Sequence, residues 1–347
     1  MMFRFLSGIR LFLPLLSMLM VAPIGHASEP EPVIETVYGL HLKKIVPDFA
    51  DGKFYAEFYW WMKFTNDSLV TGWSNEDIVN LEYINAHQAK VGGILTEIQE
   101  IKELSPNHFY YSGYHQGSFY FDPDYTRYPF DNQEFNIMME NVLIPVPGFR
   151  FITDTVSFLK SGQMPGFFGL SSDMLRNESV NFKIKGTRFS TNNGIYNTDF
   201  GDPEFPPASE YSRMKITILI ERSFVPYIAK LIIPLAIILF LVYLLFFIPA
   251  EKIDIAAGLT VTSLLSAIAF QLAVNSDLPQ IGYIIYVDKV FYTCYFLIAV
   301  SMTVSLWSYY LDRKRDASSL VLVERINRYA RIVFPLVFLF SLFYFAA

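Results

Sequence analysis

Four long apolar stretches fill the last third of this 347-residue chain, and they limit its fold more than anything before them. Residues 231–250, 255–274 and 290–311 each run about 20 residues without a charged side chain, the length a helix needs to cross a hydrocarbon core. The fourth stretch, 332–347, reaches that length only by taking in Tyr329 and Ala330 and letting Arg331 extend to the headgroups. The expected helices are about 224–248, 254–275, 284–311 and 329–347, with 312–328 as a short basic linker. At 52 % hydrophobic residues, the chain is too apolar to close as one water-soluble globule.

Orientation follows from charge. Arg4 and Arg10 flank a short apolar run at 11–22, and the small-x-small triplet Gly25-His26-Ala27 follows, so residues 1–27 read as a cleaved signal peptide. The mature N-terminus is then exported, and four spans return the C-terminus to the same side. The two inward connections should be basic. Lys252 lies in the first, and Arg313, Lys314, Arg315, Arg325, Arg328 and Arg331 lie in or beside the second.

Residues 28–222 have a different texture. Short runs rich in aromatic and β-branched side chains, at 54–64, 108–121, 135–144, 180–189 and 214–220, alternate with Gly, Pro, Asn and Asp, and no long helical period intervenes. This spacing predicts an all-β, immunoglobulin-like sandwich ahead of an all-α bundle of four helices. Cys294 is the only cysteine and lies in an apolar run, so no intrachain disulfide staples the outer domain and the thiol could only link subunits. That domain holds 16 Lys and Arg against 26 Asp and Glu, a net charge of −10, which attracts cations and repels nucleic acid. His41, His87, His108 and His115 are scattered without metal-ligand spacing, and no nucleophile elbow or phosphate loop occurs. An enzyme is not expected, and no cofactor is implied.

The segment Tyr128-Pro129-Phe130-Asp131-Asn132-Gln133 resembles the aromatic-Pro-Phe-Asp-x-Gln signature of the Cys-loop receptor superfamily. The positions of its bracketing cysteines hold Phe121 and Phe135, as in prokaryotic members that lack the pair. The resemblance continues through Arg222, Pro234, the run Ser266-Ala267-Ile268-Ala269-Phe270, Leu278-Pro279 and Arg331-Ile332-Val333-Phe334-Pro335, covering nearly the whole mature chain in family order. It implies a homopentameric ligand-gated ion channel with an extracytoplasmic sandwich. The implied partners are further copies of the chain, membrane lipid, permeating monovalent cations, and an agonist that is a small molecule, an ion or a proton. A membrane-anchored receptor that does not conduct is the alternative. A secondary transporter would show more spans and inverted repeats.

On a helix, the face of the second span that holds Asp254 also holds Gly258, Thr262, Leu265, Ala269, Leu272 and Ser276. Charged and small at the inner end, hydroxylic next and apolar toward the outside, this face grades as a pore wall does. By the resemblance, Asp254 sits where cation-selective members carry an acidic ring, and Leu265 where the gate lies; Asp254 also suits a helix N-cap. Asp replaces the usual Glu, and Gly258 replaces a small hydroxyl residue. Thr260, Ser263 and Gln271 fall off the face and are expected to bond between helices. Where some prokaryotic relatives carry a His, this chain has Ala267, so proton gating by that route does not carry over.

The resemblance also implies a gating junction built from Asp48 or Asp51, Asp131, Arg222 and the stretch 276–283 with Pro279, in which Asp131 and Arg222 form an ion pair. Agonist would bind between subunits, under a hairpin between Phe189 and Tyr211 that carries Tyr196, Phe200 and Phe205. The opposite wall would come from Trp60, Trp61 or Tyr110. Aromatic walls suit a cationic amine.

Overall fold

The computed structural model describes residues 32–87, 95–171, 174, 182–201, 206–276, 278–279, 281–314 and 316–346. The expected signal peptide and Phe205 lie outside them, as does most of 202–207.

Strands β1 (Ile34–Asp48), β2 (Lys53–Thr65), β3 (Leu81–Tyr83), β4 (Ala86–His87), β5 (Leu95–Ser105), β6 (His108–Tyr120), β7 (Asn132–Asn141), β8 (Phe149–Thr153), β9 (Phe182–Tyr196) and β10 (Ser209–Arg222) build two facing sheets. One runs β4-β6-β2-β1-β8 with β5 also on β6, and the other runs β3-β7-β10-β9. Alternation sets the packing: in β2, Phe54, Ala56, Phe58, Trp60, Met62 and Phe64 point inward and are buried, while the residues between them face out. Short helices α1 (Ser68–Thr71), α2 (Asn75–Val79) and α3 (Thr155–Lys160) sit in the connections. Each begins at a Ser or Asp whose side chain accepts a backbone N–H.

Where the superfamily's disulfide would be, Phe121 and Phe135 pack edge to face with ring centroids 4.7 Å apart. Phe54 stacks on Phe135 at 4.7 Å. Such ring pairs contribute about 0.5–1.5 kcal/mol beyond the area they bury.

Below the sandwich run four membrane-spanning helices: α4 (Phe224–Tyr243, continued by a 3-10 turn to Phe247), α5 (Ile253–Asn275), α6 (Tyr286–Asp312) and α7 (Ala317–Ala346). The fourth starts a dozen residues earlier than its apolar run suggests, and most of the expected linker is helix. Glu324, Arg325 and Arg328 are good helix formers, so their charge marks water contact and not a break. Arg331 sits inside the helix, donating from Nη2 to the Phe246 carbonyl at 2.7 Å and covering the Phe247 ring. Cys294 is wholly buried among helices of its own chain, so it is not placed to link subunits.

Candidate functional site

Along α5, Ala256, Thr260, Ser263 and Ala267 are buried against the rest of the chain. Asp254, Gly258, Thr262, Leu265, Ala269, Leu272 and Ser276 are all exposed. At ~100° per residue the two sets lie on opposite sides of the helix. Small side chains bring α5 close to its own bundle, and the graded stripe faces away. Leu265 and Leu272 are 61 % and 68 % exposed, so nothing among the described residues covers them. Asp254 lies in the first turn, two residues after the N-cap Lys252, so it is not the cap; its carboxylate still meets the positive end of the helix dipole. Thr260 bonds within its own helix, to the Ala256 carbonyl at 2.8 Å, and only Gln271 of the three off-stripe residues reaches another helix.

The sandwich meets the bundle around one buried ion pair. Arg222 Nε and Nη2 donate to Asp131 Oδ1 and Oδ2 at 2.8 and 3.0 Å, and both side chains are almost wholly buried. Burial opposes the guanidinium charge, but the hydrogen bonds and charge of Asp131 outweigh it and hold the Arg222 pKa above its ordinary value. Gln133 Nε2 supports the carboxylate at 2.6 Å. The rings of Phe49, Tyr128 and Tyr227 surround the guanidinium at 4.2, 5.1 and 5.4 Å. From the β1–β2 turn it is therefore Phe49 that enters the junction. Asp48 and Asp51 are exposed, Asp48 accepting the Asp51 backbone N–H. The signature loop continues into the bundle: the Thr126 carbonyl accepts the Tyr286 N–H at 3.0 Å, and Tyr283 Oη accepts the Tyr125 N–H at 2.9 Å. Pro279 is half-buried in the α5–α6 connection.

Under the β9–β10 hairpin lies a cleft of about 490 Å³ lined by Glu82, Ile84, Glu140, Tyr196, Phe200 and Tyr211 among others. Tyr196 stands 5.8 Å from both Phe200 and Tyr211, ring to ring. Its hydroxyl donates to Glu140 Oε2 at 2.8 Å; burial first, then that bond, raise its pKa. Arg213 Nε holds the other oxygen of Glu140 at 2.6 Å. Tyr211 was missed as a wall residue because it belongs to the strand, which begins earlier than its apolar run.

The tryptophans correct the opposite wall. Trp60 is 3 % exposed, its ring lying over Gly113 inside the sandwich, so it offers nothing to a ligand. Trp61 faces the other way but is half-buried and donates from Nε1 to Asp154 at 2.7 Å. Tyr110 is half-exposed on the outward side of β6. Tyr59, 41 % exposed and 5.2 Å from the Tyr114 ring, is the more open aromatic there. None of these lines the hairpin cleft of its own chain.

A β-sandwich seated on four membrane-spanning helices, with the signature loop wedged between them, is the fold of a pentameric ligand-gated channel subunit. No family model matches the chain. Over 221 residues, 63 % of this chain, it is 26 % identical to a proton-gated ion channel of Gloeobacter violaceus. The chain spans about half the length of that curated relative, 54 % of which is covered.

Proposed function

We propose that this chain is one subunit of a homopentameric, cation-conducting channel of the cell membrane, opened by a proton or small ligand acting on an extracytoplasmic sandwich. The observation that carries this reading is the stripe from Asp254 to Ser276, exposed on the side of α5 opposite its buried face. A carboxylate is costly against lipid, and copies around an axis would give Asp254 and the Thr262 hydroxyl water. Asp254 then screens out anions at the inner mouth, while Leu265 and Leu272 close the pore by dewetting. The acidic outer domain concentrates cations above it. The Arg222–Asp131 junction joins the last strand to the signature loop, and agonist in the hairpin cleft would act through β10 on that junction.

The relative's name makes protons the first stimulus to try. The protein reconstituted in planar lipid bilayers is expected to pass discrete cation currents when the outer solution is acidified. Silence to acid, divalent cations and a panel of amines would return the reading to a receptor that does not conduct.

A further inference from the structure

The outer half of α5 is fastened to α6 by polar side chains that neither the stripe nor the Arg222–Asp131 pair uses. Gln271 is the hub. Its amide nitrogen donates to Asp288 Oδ1 at 2.8 Å, and its amide oxygen accepts from the Tyr295 hydroxyl at 2.6 Å. That hydroxyl also lies 3.4 Å from the Ala267 carbonyl. One turn further out, Asn275 Nδ2 lies 3.4 Å from the same Asp288 oxygen. The other oxygen of Asp288 accepts the Ile285 backbone N–H at 3.3 Å, closing the first turn of α6. Ala267, Gln271 and Asn275 recur every fourth residue and run along a side of α5 turned well over a right angle from the stripe, at ~100° per residue. Gln271, Asn275, Asp288 and Tyr295 are half-buried, so the bundle shields these links in part from competing water.

The same turn of α6 is held from above. Tyr286, two residues before Asp288, donates its N–H to the Thr126 carbonyl at 3.0 Å and sets its ring 5.4 Å from Phe130 of the signature loop. The start of α6 is thus bonded to the sandwich through its backbone and to the pore helix through Asp288.

We propose that Asp288 is a positioning residue that passes movement of the signature loop to the outer half of α5, so that the outer ends of α5 and α6 move as one body. This rests on the channel reading above. A chain of bonds argues for coupling only if cutting it at two places has the same effect as cutting it once.

The test uses the full chain in lipid bilayers, with protons as the probe. Asp288→Ala and Gln271→Ala should each shift the half-activating proton concentration by about 5-fold or more, and the double variant should shift it no further. Reversal potential should not move. Amide hydrogen exchange along 267–275 should rise equally in all three. The exchange of roles in Gln271→Glu with Asp288→Asn keeps one donor facing one acceptor, and should restore both readouts toward wild type. Should Asp288→Ala fail to fold, Tyr295→Phe removes only the hydroxyl and should move both readouts in the same direction. Additive shifts, or an unchanged exchange pattern, would overturn the proposal. A wild-type protein silent at every pH contradicts the channel reading instead; exchange then decides alone, and unaltered protection in Asp288→Ala or Tyr295→Phe overturns the latch.

Discussion

Arg222 and Asp131 carry opposite charges into a site with almost no water, so each is tolerable only in the presence of the other. Removing one partner from such a pair costs about 3–5 kcal/mol, whereas replacing both by apolar groups costs much less. Asp131→Ala should therefore lower the melting temperature of the detergent-solubilised protein more than Asp131→Leu combined with Arg222→Met; equal losses would show that the site is wetter than the structure indicates. His115 makes a second demand. It is fully buried, flanked by Phe58 and Tyr83, and among the described residues it is bonded only through Nδ1, to Thr96 Oγ1 at 2.7 Å. Burial pushes its pKa down from 6.5 to about 4. The unfolded chain takes up this proton below the ordinary value while the folded domain refuses it until about pH 4. Stability is then lost as pH falls from about 6.5 to 4, by about 3 kcal/mol. Melting curves across that window should flatten in His115→Gln relative to wild type, and equal slopes would contradict the assignment. Asp131 and Arg222 were legible because a motif and a strand end fix them in order. The Trp60 face was legible too, though unread: Glu57 and Lys63 share the parity of Trp61, and Phe58 and Met62 that of Trp60. Phe49 was not, because a turn residue's direction depends on the strands it joins.

Among the elements, α5 was the most readable, since its stripe needs only helical periodicity. If Leu265 closes the pore as proposed, Leu265→Ser removes an apolar side chain from every copy of the constriction and lowers the cost of wetting it. Half-activation should move to weaker acid or openings should appear without stimulus, with ion preference unchanged. If activation curves superimpose on wild type, another face of α5 lines the pore. The start of α7 is illegible for the opposite reason: a hydropathy window ends where charge begins, but the helix does not. At 30 residues α7 is about 45 Å long, against a hydrocarbon core of about 30 Å, so its first turns stand outside the core with the basic side chains. The Asp288–Gln271 contact was beyond sequence reading, because the packing angle of two helices is not written in either one. Its place off the stripe marks Gln271 as a bonding residue without revealing the partner.

At the scale of the whole molecule, the proposed function requires further copies arranged around an axis, with the exposed stripe of α5 turned toward it. Native mass spectrometry in mild detergent should report a pentamer. Its mass should survive thiol reductant, since Cys294 is buried within its own chain and the sandwich is held by ring packing such as Phe121 on Phe135. A stable monomer, or loss of the assembly on reduction, would contradict this. The sandwich and the four spans could be read from alternation and apolar length, and the resemblance put Tyr196 and Phe200 under the hairpin; that Glu82, Glu140 and Tyr211 join them there could not be read, because it depends on the order β3-β7-β10-β9 within one sheet. The proposed function stands or falls on whether the Asp254 face of α5 lines a cation pore. The most direct test is the reversal potential of acid-evoked current in asymmetric potassium chloride, for wild type and for Asp254→Ala. A cation pore lined by Asp254 gives a wild-type value near the potassium equilibrium potential and a value shifted toward zero in the variant, while the proton concentration for half-activation changes little. A wild-type value at the chloride equilibrium potential, or one that Asp254→Ala leaves unmoved, would contradict it.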